Sequence, residues 1–170
     1  MTPPSRSTLL RQKARQFSEA FIHGSLSPHE LLSQFMTSTP QIVEHGSQEA
    51  QKRLPFVGTL FTGRRSSTSP PKSTCDDYFD LLGATLALHS HEKSLPEENG
   101  YVVDPEALFP DVEGKGVVLV KAHARLSSVG SGRSWEEHFV FLLSGFDGEG
   151  RIGKLEIWAD NLSAWEAVGE

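Results

Sequence analysis

Two histidines in the last third of the chain, His123 and His138, are the side chains best placed for chemistry. They lie in two β-rich runs that are joined by the glycine-containing segment GSGR. If Gly130 and Ser131 form a two-residue hairpin turn, the register places His123 directly opposite His138. Two neighbouring imidazoles can share a ligand oxygen, relay a proton or bind a metal ion, or they can be ordinary partly buried sheet residues.

A further candidate is Asp160, in the string WAD near the C-terminus. Its carboxylate could orient a histidine or act as an acid or base. The alternative is that Asp160 caps a final helical turn together with Asn161 and Ser163. Trp158 faces the interior only if a bulge interrupts its strand.

Other reactive side chains give weaker patterns. His89 and His91, beside Glu92, are expected at the exposed end of a helix, where cations favour the helix dipole. Since two histidines without a third ligand do not define a metal site, we expect no metal.

Cys75 is the single cysteine, which excludes an internal disulfide, and its aspartate neighbours disfavour a thiolate. The sequence has no phosphate-binding glycine motif, and we expect no cofactor.

The elements that must position these side chains begin with helices. An apolar stripe with steps of three and four residues predicts a helix over residues 8–22, ended by Gly24. The string SPHE at 27–30 is a capping box that begins a second helix, which runs to about residue 36. Thr74, with an aspartate three residues later, begins a third helix that runs to about residue 88.

The connecting segments differ in composition. Residues 40–46 (PQIVEHG) are predicted to form a short strand. Residues 62–74 contain no hydrophobic side chain and are interpreted as a mobile insertion loop. Residues 89–116 form a polar connection with one short strand near residues 101–103.

The C-terminal third consists of three strand-like runs with short glycine-containing connections, which predicts an antiparallel meander. The hairpin register gives this sheet two different faces. The apolar face carries Val118, Val120, Ala122, Phe139, Phe141 and Leu143. The other face carries Lys121, His123, Arg125, Glu136, His138 and Leu142. Helices can cover one face, and we expect a second copy of the chain to cover the other, giving a homodimer through the sheet face.

Composition limits the functional class. The chain has 170 residues, 37% of them hydrophobic, which fits one domain over residues 1–170. The net charge is −6 and the basic residues are scattered, so we expect no nucleic-acid partner. No run approaches the roughly 18 apolar residues of a membrane span and the N-terminus lacks a signal-peptide pattern, so we expect no membrane association and a cytoplasmic location.

The order of these elements, with the strings FVGTLFTG, YFDLL and EIWADNLSAW, resembles the SnoaL-like branch of the NTF2-like superfamily over roughly residues 8–166. Stand-alone fungal members, many of them associated with secondary metabolism, are similar in the DYFDLL and WAD segments. The resemblance implies an α+β fold: a cone-shaped roll with three N-terminal helices packed on a strongly curved, mostly antiparallel sheet. It also implies a pocket between the sheet and the helices.

Ketosteroid isomerase, in the same superfamily, supplies a site for comparison. The position that matches its general base is His45, in the string VEH, and an imidazole can act as a base near neutral pH. The positions that match its two oxyanion-hole donors are Phe17 and Leu142, which have no donor atom. A single such donor contributes about 10² to 10³ in rate, so the chain is not a ketosteroid isomerase of the known design.

Two functions stay open. The first is an isomerase, cyclase or dehydratase without a cofactor, which acts on a polyketide-like or terpenoid-like carbonyl compound through acid–base chemistry of His45, His123, His138 and Asp160. The second is a non-catalytic module that binds a hydrophobic small molecule or serves through dimerisation. In both cases we expect the pocket to be lined by Phe17, Phe21, Phe61, Tyr78, Leu142 and Trp158. Convergence of the three histidines around a cavity would favour catalysis.

Overall fold

The computed structural model describes residues 3–169 as helices packed on one mixed sheet. The helices are α1 (Arg6–His23), α2 (Pro28–Phe35), α3 (Gln48–Gln51), α4 (Cys75–Thr85) and α5 (Asn161–Val168). The strands are β1 (Met36–Glu44), β2 (Leu60–Thr62), β3 (Leu86–His89), β4 (Val102–Asp104), β5 (Val117–Ser128), β6 (Ser134–Ser144) and β7 (Ile152–Trp158). A single 3-10 turn covers Glu98–Gly100.

The helix ends follow the capping residues of the sequence. Gly24 ends α1 with a φ of 61°, a left-handed conformation that glycine adopts without a steric penalty. Ser27 and Glu30 form the expected capping box at the start of α2. A second capping box, between Thr74 and Asp77, begins α4. This helix ends at residue 85 rather than near 88, because β3 begins there.

The sheet has the order β2-β1-β7-β6-β5-β3, with β4 paired to β5, and it does not close into a barrel. All pairs are antiparallel except β1 with β7. β1 comes from the helical half of the chain and lies beside β7, the last strand of the meander. These two strands run in the same direction. The predicted α+β class is confirmed.

The register of the β5–β6 hairpin agrees with the prediction. His123 lies opposite His138, but the last hydrogen-bonded pair is Ser128 with Arg133, so residues 129–132 form a four-residue loop and not a two-residue turn. The backbone N–H of Ser128 donates to the carbonyl of Arg133 at 2.8 Å, and the N–H of Gly132 donates to the carbonyl of Ser128 at 2.9 Å. This loop has one more residue on each side than the predicted two-residue turn. The pairing of His123 with His138 is therefore the same as predicted.

The two faces of the sheet are different environments. The inner face is buried against the helices and includes the six apolar residues predicted for it. The outer face, opposite the helices, carries the predicted charged and histidine side chains, which are exposed or half-buried. One contact differs from expectation: Arg125 lies opposite Glu136 but donates to Ser134 Oγ at 2.7 Å, and Glu136 contacts His123.

The two connecting segments are partly anchored. Arg64 and Arg65 form ion pairs with aspartates of α4, which fixes the start of segment 62–74, and mobility of the remainder stays a prediction. Segment 89–116 contains β4 and the 3-10 turn. Cys75 is buried, and burial raises the pKa of its thiol to about 12. No helix within residues 3–169 is long and apolar enough to cross a membrane.

Candidate functional site

A small cavity lies between the inner face of the sheet and helices α1, α4 and α5, and we call it the inner chamber. About 40 Å³ is open to the centre of a water molecule, which is room for a few waters. Its polar lining consists of Glu44, Tyr78, Glu137, Asp160 and Asn161. The remaining lining is apolar, and Glu44 and Glu137 are buried, so these two carboxyl groups lie in a weakly solvated space, whereas Asp160 is exposed.

A larger apolar space, the outer groove, adjoins the chamber. It measures about 250 Å³ and lies among α1, α2, α4 and the neighbouring strands. Four side chains line both spaces: Phe21, Leu82, Leu86 and Leu126. These four lie where the groove adjoins the chamber.

Glu44 is the most perturbed acid of the chamber. It is the last residue of β1, on the same face as Ile42, and it is 6% exposed. The Tyr78 hydroxyl donates a hydrogen bond to Glu44 Oε2 at 2.9 Å. Burial raises the pKa of Glu44 to about 8, and the nearby charge of Glu137 adds to this rise, while the Tyr78 hydrogen bond opposes it. Glu44 is therefore a neutral carboxylic acid at pH 7.

Tyr78 lies in α4, and the packing of its ring fixes the position of its hydroxyl. Its ring is fully buried and makes edge contacts with Phe56, Phe61 and Phe79. Burial, together with the adjacent Glu44, raises the pKa of Tyr78 well above its ordinary value of 10. The hydroxyl consequently keeps its proton and acts as a fixed donor.

Glu137, on β6, is the second carboxyl group of the chamber and is 4% exposed. Its two oxygens accept separate hydrogen bonds, one from Trp135 Nε1 at 2.6 Å and one from the backbone N–H of Asp160 at 2.8 Å. Burial raises the pKa of Glu137, and both of these hydrogen bonds oppose the rise. The two N–H donors stabilise the ionised form, which gives Glu137 a different environment from that of Glu44.

This arrangement can perform proton transfer. Glu44 is neutral near pH 7 and can donate a proton. Glu137 accepts hydrogen bonds from two N–H groups, which stabilise a carboxylate. Two acids whose surroundings separate their protonation states are a recurring basis for paired acid and base roles. A pKa close to the working pH is also the value at which a general acid or base is most effective.

Three of the residues proposed from the sequence line the chamber: Phe21, Tyr78 and Asp160. Asp160 also caps α5, since its carboxylate accepts from the N–H of Ser163 at 3.1 Å and from the Ser163 hydroxyl at 2.6 Å. These hydrogen bonds lower the pKa of Asp160. The capping interpretation of Asp160 is therefore confirmed, and its catalytic role stays a prediction.

Other proposed residues lie away from the chamber. His45 is on the outer face, where its Nε2 is 2.9 Å from Glu156 Oε1 and its ring stacks on Trp158 with centroids 4.2 Å apart. Leu142 pairs with Glu156 on the same outer face. Phe17 and Phe61 are fully buried in the core but do not line the chamber.

His123 and His138 also lie on the outer face, with stacked rings whose centroids are 4.4 Å apart. Burial, followed by the nearby charge of Lys121, lowers the pKa of His138. His45, His123 and His138 do not converge around a cavity. The catalytic roles proposed for these histidines stay predictions, and the cavity itself presents carboxyl groups.

Glu44 and Glu137 are not among the residues expected from the sequence, although their positions carry a signal. Strand alternation from the apolar Ile42 places Glu44 inward and His45 outward. The same alternation, counted back from Phe139, places Glu137 inward. An isolated acid on an apolar strand face is the pattern that could have identified each residue.

Comparisons with known proteins identify the fold. No family model matches the sequence, and no curated protein matches it. An NTF2-like protein from Burkholderia xenovorans LB400 has a TM-score of 0.62 and 16% identity, covering 96% of this chain and 98% of that one. A proposed SnoaL-like polyketide cyclase from Jannaschia sp. CCS1 has a TM-score of 0.54 and 16% identity, covering 99% and 96%. TerC, co-crystallised with polyporic acid, has a TM-score of 0.61 and 13% identity, covering 95% and 99%.

These similarities extend over nearly the whole chain at identities that establish the fold alone. The chain has an NTF2-like fold, as the resemblance of its sequence implies, and the SnoaL-like polyketide cyclase is among the proteins that share it.

Proposed function

We propose that the inner chamber is an acid–base site that isomerises, cyclises or dehydrates a small, largely apolar carbonyl compound of polyketide-like or terpenoid-like type. The observation that carries the proposal is the buried Glu44, which holds a proton near pH 7 beside Tyr78 and in the same chamber as Glu137. Such a group is costly to bury, and perturbed acids of this kind are concentrated at functional sites.

The two adjoining spaces suggest how a substrate binds. The apolar body would lie in the outer groove, and the carbonyl end would pass between Phe21 and Leu82 into the chamber. Burial of apolar surface would supply the affinity, while the few polar groups of the chamber would fix the orientation. TerC, which shares the fold, was crystallised with a small organic molecule, and this supports a ligand of that size class.

The proposed step transfers two protons. Ionised Glu137 removes a hydrogen from the carbon next to the carbonyl, and neutral Glu44 donates its proton to the carbonyl oxygen. The C–H bond breaks, its electrons form the carbon–carbon double bond of an enol, and the negative charge moves from Glu137 to Glu44. Tyr78 then stabilises the new Glu44 carboxylate through its hydroxyl. If the enol is conjugated with a second double bond, return of the proton from Glu137 to the far carbon, with loss of the enol proton to Glu44, gives an isomer. If the enol carbon attacks a second carbonyl of the same molecule, a carbon–carbon bond forms as that C=O π bond breaks, its oxygen takes the proton from Glu137, and the enol oxygen returns its proton to Glu44, which gives a ring.

Hydrogen–deuterium exchange tests this step without knowledge of the natural substrate. A panel of cyclic ketones, including 2-tetralone, is incubated in deuterated buffer, and loss of the α-hydrogen signal is followed by NMR. The wild-type chain should accelerate exchange of at least one ketone, and Glu44→Gln should lose most of that acceleration, since a general acid or base contributes about 10² to 10⁴ in rate. The control is Glu113→Gln, an exposed glutamate that does not line the chamber. No acceleration with any ketone, or equal rates in wild type and Glu44→Gln, would contradict the proposal.

A second candidate function is a non-catalytic module that binds an apolar ligand in the outer groove. The observation that favours it is size, since the groove is about 250 Å³ whereas the chamber is about 40 Å³. This function predicts that 2-naphthol binds with equal affinity to wild type and Glu44→Gln, and that no ketone exchanges. A Leu82→Trp variant, which narrows the groove, should weaken binding in either case.

We also propose that a second copy of the chain covers the apolar part of the outer face. Two exposed apolar side chains, Leu119 and Trp158, lie there with the half-buried Val140 and Leu142. Light scattering of the wild type should give twice the chain mass of 18.7 kDa. The Trp158→Lys variant should give the mass of one chain, because it places a charge in the proposed interface. The matched control is Leu162→Lys, an exposed leucine of α5. A wild-type mass of one chain at micromolar concentration would contradict the dimer.

A further inference from the structure

A cluster of metal-ligating side chains lies on the outer face, on the opposite side of the sheet from the inner chamber. His91 follows β3, His123 lies in β5 and Glu136 lies in β6. Each offers one ligand atom, and these three atoms lie within 4.8 Å of one another. The sequence predicted His91 at the exposed end of a helix, so its position beside His123 was not expected.

The three side chains lie close enough for a transition-metal ion to bind after a small movement. His91 Nε2 lies 3.0 Å from His123 Nδ1, and His123 Nε2 lies 3.3 Å from Glu136 Oε2. In a tetrahedral zinc site with metal–ligand distances near 2.0–2.1 Å, ligand atoms are separated by about 3.3 Å. One ion would use a single nitrogen of His123. Through Nε2, Glu136 is already at this separation and His91 would have to move inward; through Nδ1, the reverse holds. Both are exposed and can rotate.

The backbone holds two of these ligands in place. The N–H of His123 donates to the carbonyl of Ser94 at 2.8 Å, which ties the segment after β3 to β5. The Ser94 hydroxyl in turn accepts from the N–H of His91 at 2.9 Å, and Ser94 is buried. The ring of His138 stacks on His123 and restricts its rotation. The cluster is therefore built on a paired strand and an anchored turn.

Two hydrogen bonds of His91 oppose metal binding and set its cost. Its Nε2 lies 3.0 Å from His123 Nδ1, and a metal ion bound to Nε2 would replace this contact. The N–H of Lys93 donates to His91 Nδ1 at 3.2 Å, which leaves the ring proton on Nε2 in the metal-free protein. Binding through Nε2 would move this proton to Nδ1 and break the bond from Lys93. The hydrogen bond is long and exposed, so its loss is a small cost beside the formation of a metal–nitrogen bond.

We propose that His91, His123 and Glu136 bind one divalent transition-metal ion, with Zn²⁺ as the favoured occupant and a fourth position open to water or a ligand. Two imidazoles select zinc, copper or nickel over magnesium or calcium, which prefer all-oxygen sites. Two histidines with one glutamate and an open position is also a known zinc ligand set. The site does not depend on the acid–base function proposed for the inner chamber, since it is on the other face of the sheet.

The test measures Zn²⁺ binding to the full chain by competition with a chromophoric chelator near neutral pH. Wild type should bind one Zn²⁺ per chain, and His123→Gln and Glu136→Gln should each weaken binding by about tenfold or more, because each removes a ligand atom. The matched control is His89→Gln, an exposed histidine of β3 that bonds to Ser127 instead. Circular dichroism should show that each variant keeps the fold. Co²⁺ should give the intense visible absorption of four-coordinate geometry in wild type and His89→Gln, and not in His123→Gln or Glu136→Gln.

Three results would overturn the proposal. The first is no stoichiometric binding at micromolar Zn²⁺. The second is equal affinity in wild type and His123→Gln, which would assign binding to other histidines. The third is a loss of affinity in His89→Gln as large as that in Glu136→Gln, which would indicate diffuse surface binding.

Discussion

The Glu44→Gln substitution should make the protein more stable, and increasingly so as the pH rises. Glu44 has an ordinary pKa of 4.5 when unfolded and a pKa of about 8 in the folded chain. Below pH 4.5 both states hold the proton. Between these two pKa values only the folded state holds it, so the free energy of unfolding falls with rising pH; above about 8 both states are ionised and the fall stops.

The size of this effect follows from the two pKa values. One pKa unit corresponds to about 1.4 kcal/mol, so burial of Glu44 lowers the stability by about 5 kcal/mol across the whole interval. Glutamine has nearly the same shape, has no charge and can still accept the hydrogen bond from Tyr78. The variant should therefore lack this part of the pH dependence and keep the packing.

Urea unfolding of wild type and Glu44→Gln measures the difference in unfolding free energy between the two chains. This difference should grow by about 4 kcal/mol in favour of the variant between roughly pH 5 and pH 8, at about 1.4 kcal/mol per pH unit. Glu113→Gln, at an exposed position, should show no such trend. A Glu44→Gln difference that stays constant over this range would refute the reasoning, since Glu44 would then titrate alike in both states.

Three further substitutions test other parts of the structure. Tyr78→Phe removes the donor to Glu44 and should raise the pKa of Glu44 further, which an NMR titration would detect; an unchanged value would be evidence against the hydrogen bond. Ser27→Ala removes the cap of α2 and should cost about 1 kcal/mol in thermal or urea unfolding, and no loss would contradict the capping box. Gly114→Ala should cost more than about 1 kcal/mol, because Gly114 has a φ of 90° and a Cβ would collide with the backbone oxygen of Phe146. Gly130→Ala, with open space around it, is the control, and equal stability of the two alanine variants would contradict this account.

Much of the fold could be predicted because its signals are local. The capping boxes at Ser27 and Thr74 mark helix starts through contacts within one turn, and both occur in the structure. The β5–β6 register could be predicted because the apolar side chains must share one face. The parallel pairing of β1 with β7 has no local signal, since it joins residues more than a hundred positions apart.

The candidate site was less predictable, because it depends on which way single residues face. A shift of one position in a strand exchanges its inward and outward side chains, and this separates Glu44 from His45. The pairing of His91 with His123 depends on how the turn after β3 folds back onto β5, and the sequence placed that turn at a helix end. Burial also sets the protonation of Glu44, and burial is known only once the helices are packed.

The most direct test of the central claim is a carbon-13 NMR titration of the glutamate side-chain carboxyl groups in wild type and Glu44→Gln. The account predicts one wild-type resonance that titrates near pH 8 and is absent from the variant. If every wild-type glutamate instead titrates near the ordinary value of 4.5, Glu44 is ionised at neutral pH, and the inner chamber does not hold the proton donor on which the proposed function depends.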